Sequence, residues 1–150
     1  MLSALSGVRV VELSHIMAGP VCGLLLGDLG ADVIKVERLP NGDGTRGFVP
    51  PDVKGESAAF MMLNRGKRGV AVDLRSEEGR SVVRRLVKDA DVIIENFRAG
   101  TMEKMGLGYD DLSAINEKLV YCQITGFGST GPMSNRGGFD LIAQGYSGLM

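Results

Sequence analysis

The stretch from Val8 to Arg38, VRVVELSHIMAGPVCGLLLGDLGADVIKVER, constrains the fold of this chain more than any other. Val8, Val10, Val11 and Leu13 form a β-rich apolar run that ends at Ser14. Pro20 has its φ pre-set for a first helical position, and it lacks an N–H that would go unpaired there. Val21, Leu24, Leu25, Leu26 and Leu29 then make a mostly apolar helix. Gly30 closes it, because glycine takes the left-handed C′ conformation cheaply. Ala31 to Val36 reads as a second strand that delivers Glu37 and Arg38 at its carboxyl end. This order predicts a right-handed parallel unit, and such sheets take ligands at the carboxyl ends of their strands. His15, Met17, Ala18, Gly19, Glu37 and Arg38 are therefore expected on a ligand-facing edge.

The alternation continues along the chain. Leu39 to Glu56 holds three prolines and four glycines without an apolar period and reads as a long functional loop. Ser57 to Leu63 reads as a short helical or buried piece, Asn64 to Arg68 as a basic turn and Gly69 to Leu74 as a strand. Ser76 is a candidate N-cap, with Glu77 and Glu78 suited to the first-turn dipole. Val82, Val83, Leu86 and Val87 give that helix one apolar face. Asp91 to Glu95 is the next strand, with Asn96, Phe97 and Arg98 at its carboxyl end. Two short helices, Gly100 to Met105 and Asp110 to Ile115, precede a strand at Leu119 to Thr125 and a glycine loop at Gly126 to Gly131. A further apolar helix runs from Phe139 to Met150. The fold class is α/β, a Rossmann-like doubly wound, mostly parallel sheet of at least five strands. The last segment shows an apolar face and no cap, turn or charged tail, so residues 1–150 read as the amino-terminal part of a larger domain.

Composition narrows the function. Hydrophobic residues at 44%, charged residues at 23% and a net charge of −1 describe a globular protein. They argue against a nucleic-acid partner, which calls for a basic excess. Glycine contributes 22 of 150 residues, well above the usual ~7%, and with no G-X-Y repeat these glycines mark turns and close approaches. Cys22 and Cys122 lie in apolar segments without a C-x-x-C pair, so neither a disulfide framework nor a zinc site is expected. No signal peptide or membrane span is seen, and a reducing, cytoplasmic setting without a membrane partner follows as the expectation.

Glu37 at a strand end invites a dinucleotide reading. The first turn, however, reads S-H-I-M-A-G-P rather than G-x-G-x-x-G, and Pro20 stands where backbone N–H groups would meet a pyrophosphate. An NAD(P)-dependent oxidoreductase domain is thus the alternative from another class. Arg38, Arg65, Lys67, Arg68, Arg75, Arg98 and Lys104 place positive charge at strand ends and in adjoining turns. Any one of them alone reads as solvated charge, but together they fit a polyanionic ligand. Asn96 supplies an amide for a polar group and Phe97 a ring to cover a heterocycle. His15, the one histidine, directly follows a strand, and a site role and a structural role are both open for it. Asp140 reads equally well as a helix-start carboxylate. Arg46 is a candidate to hold a substrate's second carboxylate.

Several segments then match one family in order: LSGVRVVELSHIMAGP, LGADVIKVER, NRGKR, DVIIENF, MGLGY and ITGFGSTGP. From Leu5 to Met150 the chain resembles the amino-terminal part of the family III CoA-transferases, a group that also holds the α-methylacyl-CoA racemases. YCQITGFGSTGP is most similar to the succinyl-CoA:dicarboxylate branch. The resemblance implies a Rossmann-like large domain plus a small domain, with two chains interlocked as a homodimer. It implies coenzyme A and acyl-CoA as substrates, together with a carboxylic acid, and no prosthetic group or metal.

Carried over by matching motif, the CoA contacts fall on His15, Met17 and Ala18 after the first strand and on Arg38 after the second. Val72, Asp73, Leu74 and Arg75 follow the third strand, and Asn96, Phe97 and Arg98 the fourth, with Lys104 and Arg136 as outlying members. Some relatives carry glutamine where this chain has Met17, and methionine offers no amide to a thioester. The family's nucleophile is an aspartate that attacks the thioester to give a mixed anhydride and then an enzyme-bound thioester. The resemblance places it beyond Met150, so no residue of residues 1–150 is expected to be catalytic, and residues 1–150 alone are expected to show no turnover. In the racemases a histidine precedes the aspartate that matches Asp140. Here Phe139 stands there, and a phenyl ring moves no proton, which favours the transferase. A racemase-like enzyme and a non-catalytic fragment are the remaining alternatives.

Overall fold

The computed structural model describes residues 3–150. Its opening unit is β1 (Arg9–Glu12), α1 (Ala18–Asp28) and β2 (Asp32–Arg38). β1 and β2 pair in parallel, with Arg9 opposite Asp32 and Glu12 opposite Lys35. α1 starts at Ala18, so Pro20 is the third helical residue and not the first. The helix tolerates it there for the same reason, since the first four N–H groups have no intrahelical acceptor. Gly30 turns the chain at φ 102, and its N–H donates to the Gly27 carbonyl at 2.9 Å, as expected of a helix stop. β2 runs on to Arg38, so Glu37 and Arg38 belong to the strand itself.

The segment after β2 departs from the expected structureless loop. It holds a 3₁₀ turn at Gly44–Gly47, capped by the Asp43 carboxylate, which accepts from the Thr45 N–H at 2.9 Å. A small antiparallel hairpin follows, β3 (Asp52–Val53) with β4 (Glu56–Ser57). The turn residues were legible, but the hairpin is too short to carry an apolar period. Next come α2 (Ala58–Asn64), β5 (Arg68–Val72), α3 (Glu77–Val87) and β6 (Val92–Glu95). The Ser76 hydroxyl caps α3 as expected, accepting from the Gly79 N–H at 3.0 Å. α4 (Thr101–Lys104), α5 (Tyr109–Ser113), β7 (Val120–Gln123) and α6 (Asp140–Ser147) complete the order. α6 ends in a left-handed Gly148 at φ 76, which corrects the expectation of an uncapped end. None of its residues is buried, so the expected exposed apolar face stands.

The parallel sheet has the order β5-β2-β1-β6-β7. The chain starts at the centre, steps outward through β2 and β5, then returns past β1 to β6 and β7. That reversal puts the switch point between β1 and β6, where the connections leave in opposite directions and open a crevice at the strands' carboxyl ends. Alternate side chains serve two cores. Val10, Val33 and Ile94 pack with Cys22 and Leu26 on the α1 face, whereas Val11, Val36, Val72 and Ile93 pack with Val83 and Val87 of α3 on the other. The two cysteines, 100 residues apart in sequence, meet in the smaller core as free thiols. Burial there, and then the neighbouring Cys122, push the Cys22 thiol above its ordinary pKa. No helix among the described residues is long and apolar enough to cross a membrane.

Candidate functional site

The connection from β1 to α1, Ser14 to Met17, lies at the switch point. Asn96, just past the end of β6, clamps it from one side. The His15 N–H donates to Asn96 Oδ1 at 2.9 Å, and Asn96 Nδ2 donates to the His15 carbonyl at 2.9 Å. The His15 and Phe97 rings lie 5.5 Å apart and tilted by 40°. Gly19 lets this approach happen, because a methyl group there would come within 2.1 Å of the Ser14 Cβ and 3.4 Å of Asn96 Cγ. Burial holds the His15 imidazole below its ordinary pKa of 6.5, and Lys35 and Arg38 add to this against the opposing pull of Asp43. The ring is therefore neutral at pH 7, a hydrogen-bonding group and not a cation. Ile16 sits at φ 66, a left-handed conformation that a β-branched residue keeps only when its surroundings over-determine it.

Glu95 closes β6 immediately below. It is fully buried, its Oε2 accepts from the Phe97 N–H at 2.8 Å and its Oε1 has no hydrogen-bond partner. Burial raises its carboxyl above the ordinary range. The bond from the Phe97 N–H fixes the turn that carries Asn96, Phe97 and Arg98.

The expected ligand edge is thus assembled from separate connections. His15, Met17 and Ala18 follow β1, Arg38 ends β2, Val72 ends β5 with Asp73 to Arg75 beyond it, and Asn96 to Arg98 follow β6. Of these, the structure brings His15, Asn96 and Phe97 into direct contact. Arg38, exposed, donates through Nε to the Gly42 carbonyl at 3.1 Å and lines an open groove of about 450 Å³ with Asn41 and Ala71. The side chains of Arg75, Arg98, Lys104 and Arg136 are exposed and make no hydrogen bond or ion pair among the described residues. Lys104 ends α4, and Arg136 lies in the loop before α6, where only its backbone N–H is engaged, with Met133.

Four of the cations proposed from the sequence belong elsewhere. Arg65 pairs with Asp28 and Arg68 with Asp32, and Arg68 opens β5, so it lies at the amino edge of the sheet. Lys67 is buried inside an ion network. Arg46 is not free for a substrate carboxylate. Its guanidinium forks onto both Glu37 oxygens at 2.8 Å and stacks 3.7 Å over the Phe60 ring. The same contacts remove Glu37 from any ribose-binding role.

Arg46 holds the Glu37 carboxyl below its ordinary 4.5, with the Asp43 N–H adding to the effect against desolvation. A lowered folded pKa contributes stability that is complete above pH 4.5 and is lost as pH falls through the folded value. Arg46→Ala is therefore expected to flatten the decline in the urea midpoint below that pH, and an unchanged acid slope would refute the coupling. At pH 7 the loss stays below about 1 kcal/mol, because Arg46 remains partly exposed.

Sequence reasoning missed the charges beneath the first connection. Lys35 Nζ lies 2.9 Å from Glu12 Oε1 and 2.9 Å from Asp43 Oδ2, and Lys67 Nζ lies 2.8 Å from Glu12 Oε2. All four side chains are at most 2% exposed. The signal was present in V-V-E-L-S and V-I-K-V-E, where single charges interrupt apolar strands at register-paired positions.

Residues 5–150 match the family model described as CoA-transferase family III. Succinate–glutarate CoA-transferase of Agrobacterium fabrum is 51% identical over 152 residues, covering 97% of this chain and 38% of that protein. The human succinyl-CoA:glutarate CoA-transferase is 44% identical over 149 residues, covering 99% of this chain and 34% of that protein. The crystal structure of a CAIB/BAIF family protein from Brucella suis superimposes with a TM-score of 0.94 at 55% identity, over 100% of this chain and 40% of that one. A β-ketoacyl-ACP reductase structure reaches a TM-score of 0.52 at 15% identity, which reflects the shared Rossmann-like fold alone. The chain spans little more than a third of the curated relatives it matches. It belongs to CoA-transferase family III.

Proposed function

We propose that residues 1–150 are the Rossmann-like, CoA-binding amino-terminal part of the large domain of a transferase. The whole enzyme moves CoA from an acyl-CoA, succinyl-CoA, to a dicarboxylic acid. The observation that carries the reading is the edge where His15, Asn96 and Phe97 meet. Arg38 and Arg98 flank it with guanidinium groups not paired to any carboxylate among the described residues. Such forks suit the phosphates of coenzyme A. The neutral His15, Met17 and Ala18 take the thioester end, Phe97 offers an apolar face, and Val72 to Arg75 with Lys104 and Arg136 complete the contacts. The carboxylate nucleophile is assigned to no residue here, and Asp140 already accepts from Gln144 Nε2 at 2.7 Å. An interlocked homodimer, a separate small domain and a cytoplasmic location belong to the same proposal. The exposed apolar residues of α6 support the first of these.

The direct test is CoA exchange between succinyl-CoA and glutarate by the whole protein carrying this sequence, and absence of exchange across dicarboxylic acceptors would refute it. Titration with CoA against NADH separates this reading from an oxidoreductase. Arg38→Ala and Arg98→Ala are each expected to weaken CoA binding about 10- to 100-fold, the worth of one charge-assisted bond. Arg65→Ala, at the opposite edge, is expected to leave affinity unchanged. Calorimetry reads all three, and equal affinities would remove the two arginines from the site.

A further inference from the structure

The buried charges beneath the β1–α1 connection do more than neutralise one another. Glu12 comes from β1, Lys35 from β2, Asp43 from the turn after β2 and Lys67 from the turn before β5. Each of the last three also holds a backbone group of the segment Ser14 to Pro20. Lys35 Nζ donates to the Ser14 carbonyl at 2.9 Å, and Lys67 Nζ donates to the Pro20 carbonyl at 2.8 Å. Asp43 Oδ1 accepts from the Ile16 N–H at 3.2 Å. Gly23 brings α1 down onto this frame, because a methyl group there would lie 1.9 Å from Glu12 Oε2. With the two bonds from Asn96, five hydrogen bonds converge on the short connection, which contains Ile16 at φ 66, and on the first turn of α1 that follows it.

We infer that Glu12, Lys35, Asp43 and Lys67 are positioning residues: together they hold the strained Ser14–Pro20 connection in the one conformation that presents His15, Met17 and Ala18 to the ligand. A buried polar network of this kind is rigid only while every member is satisfied, so removing one member loosens the segment it carries. Asp43 is the most informative member. It alone ties the left-handed residue, and it does so from a different part of the chain. Its carboxyl is pushed up by burial, but the Thr45 N–H and the Lys35 ammonium more than offset this and leave it below the ordinary range. It therefore acts as an anion at neutral pH.

The experiment uses the whole protein carrying this sequence, and only its kinetic arm rests on the CoA-transferase reading. Asp43→Asn keeps the shape and removes the charge that faces Lys35. Thr45→Val is the control, since it deletes the Thr45 hydroxyl bond to Asp43 Oδ1 and leaves the Ile16 bond in place. Amide hydrogen exchange followed by mass spectrometry is expected to rise about ten-fold in peptides covering Ser14 to Val21 of Asp43→Asn, as for a locally opened segment. Peptides of β6 and α3 are expected to stay as in wild type. For acyl exchange, kcat is expected to fall at least about ten-fold with KM for the acyl-CoA within about three-fold, because misplaced groups impair chemistry while the phosphate contacts survive. Thr45→Val is expected to show neither effect. Unchanged exchange at Ser14 to Val21 in Asp43→Asn overturns the proposal, and so does a local rise with kcat untouched. A uniform rise over the whole chain in both variants marks general destabilisation and overturns it as well. If wild type transfers no CoA, the functional reading fails, while the exchange arm still decides whether the frame holds the connection.

Discussion

Lys35→Met is expected to lower the unfolding free energy by about 3–5 kcal/mol, the usual cost of deleting one partner from a buried ion network. Methionine fills much the same volume, so packing changes little and the loss is electrostatic. Lys35 bridges Glu12 and Asp43, each 2.9 Å from its ammonium and all three cut off from solvent. Without it Glu12 keeps Lys67, but Asp43 retains only the Thr45 and Ile16 donors. Adding Asp43→Asn to Lys35→Met removes one charge of each sign and leaves the Glu12–Lys67 pair intact. The double variant is therefore expected to recover at least about 1 kcal/mol relative to Lys35→Met alone, a coupling normal for residues in direct contact. Urea titration of the three proteins measures both quantities. A loss below about 1 kcal/mol for Lys35→Met, or strict additivity in the pair, would show that the charges do not act as a unit.

Gly79→Ala is expected to destabilise by about 3 kcal/mol, at the upper end for inserting a methyl group into filled space. Helix propensity alone predicts the opposite sign, since alanine is better than glycine inside a helix by about 1 kcal/mol. Geometry decides. A methyl group on Gly79 would lie 1.9 Å from the Asp73 carbonyl oxygen and 3.0 Å from Val72 Cγ1. That carbonyl is not free to rotate, because it accepts from the Ser76 N–H at 3.1 Å and the Ser76 hydroxyl at 3.0 Å. Relief must come from moving α3 away from β5 or from breaking the cap. Both shift Val72 to Arg75, so CoA affinity is expected to fall alongside the thermal midpoint. A stabilised Gly79→Ala protein would show that α3 yields without cost.

The sequence already carried the layers of this fold. V-R-V-V-E and A-D-V-I-K-V mark two apolar strands with an eleven-residue helix between them, and the Gly30 stop together with the Ser76 cap sets helix ends through local backbone chemistry. Local signals of that kind survive in one dimension. The candidate edge was legible too, because parallel strands all end on the same side, which places His15, Arg38, Val72 and Asn96 at one edge of the sheet once the strands are identified. What was misread was the assignment of charges to that edge. Arg65, Lys67 and Arg68 looked equivalent to Arg38 and Arg98 in the sequence, and Arg46 looked available to a substrate carboxylate, but whether a cation is free depends on which carboxylate the fold sets beside it.

For the β1–α1 unit, then, the order of residues alone specifies a strand, a helix, a glycine stop and a second strand, and with them the side on which the parallel strands end. How the connection at its centre is held is settled only in three dimensions. The Asn96 clamp spans 81 positions, and the Lys35, Asp43 and Lys67 contacts to Ser14, Ile16 and Pro20 span 21, 27 and 47. Periodicity reports the neighbours along one element. Hydrogen bonds and ion pairs between elements depend on register and approach, which exist only after the sheet has assembled.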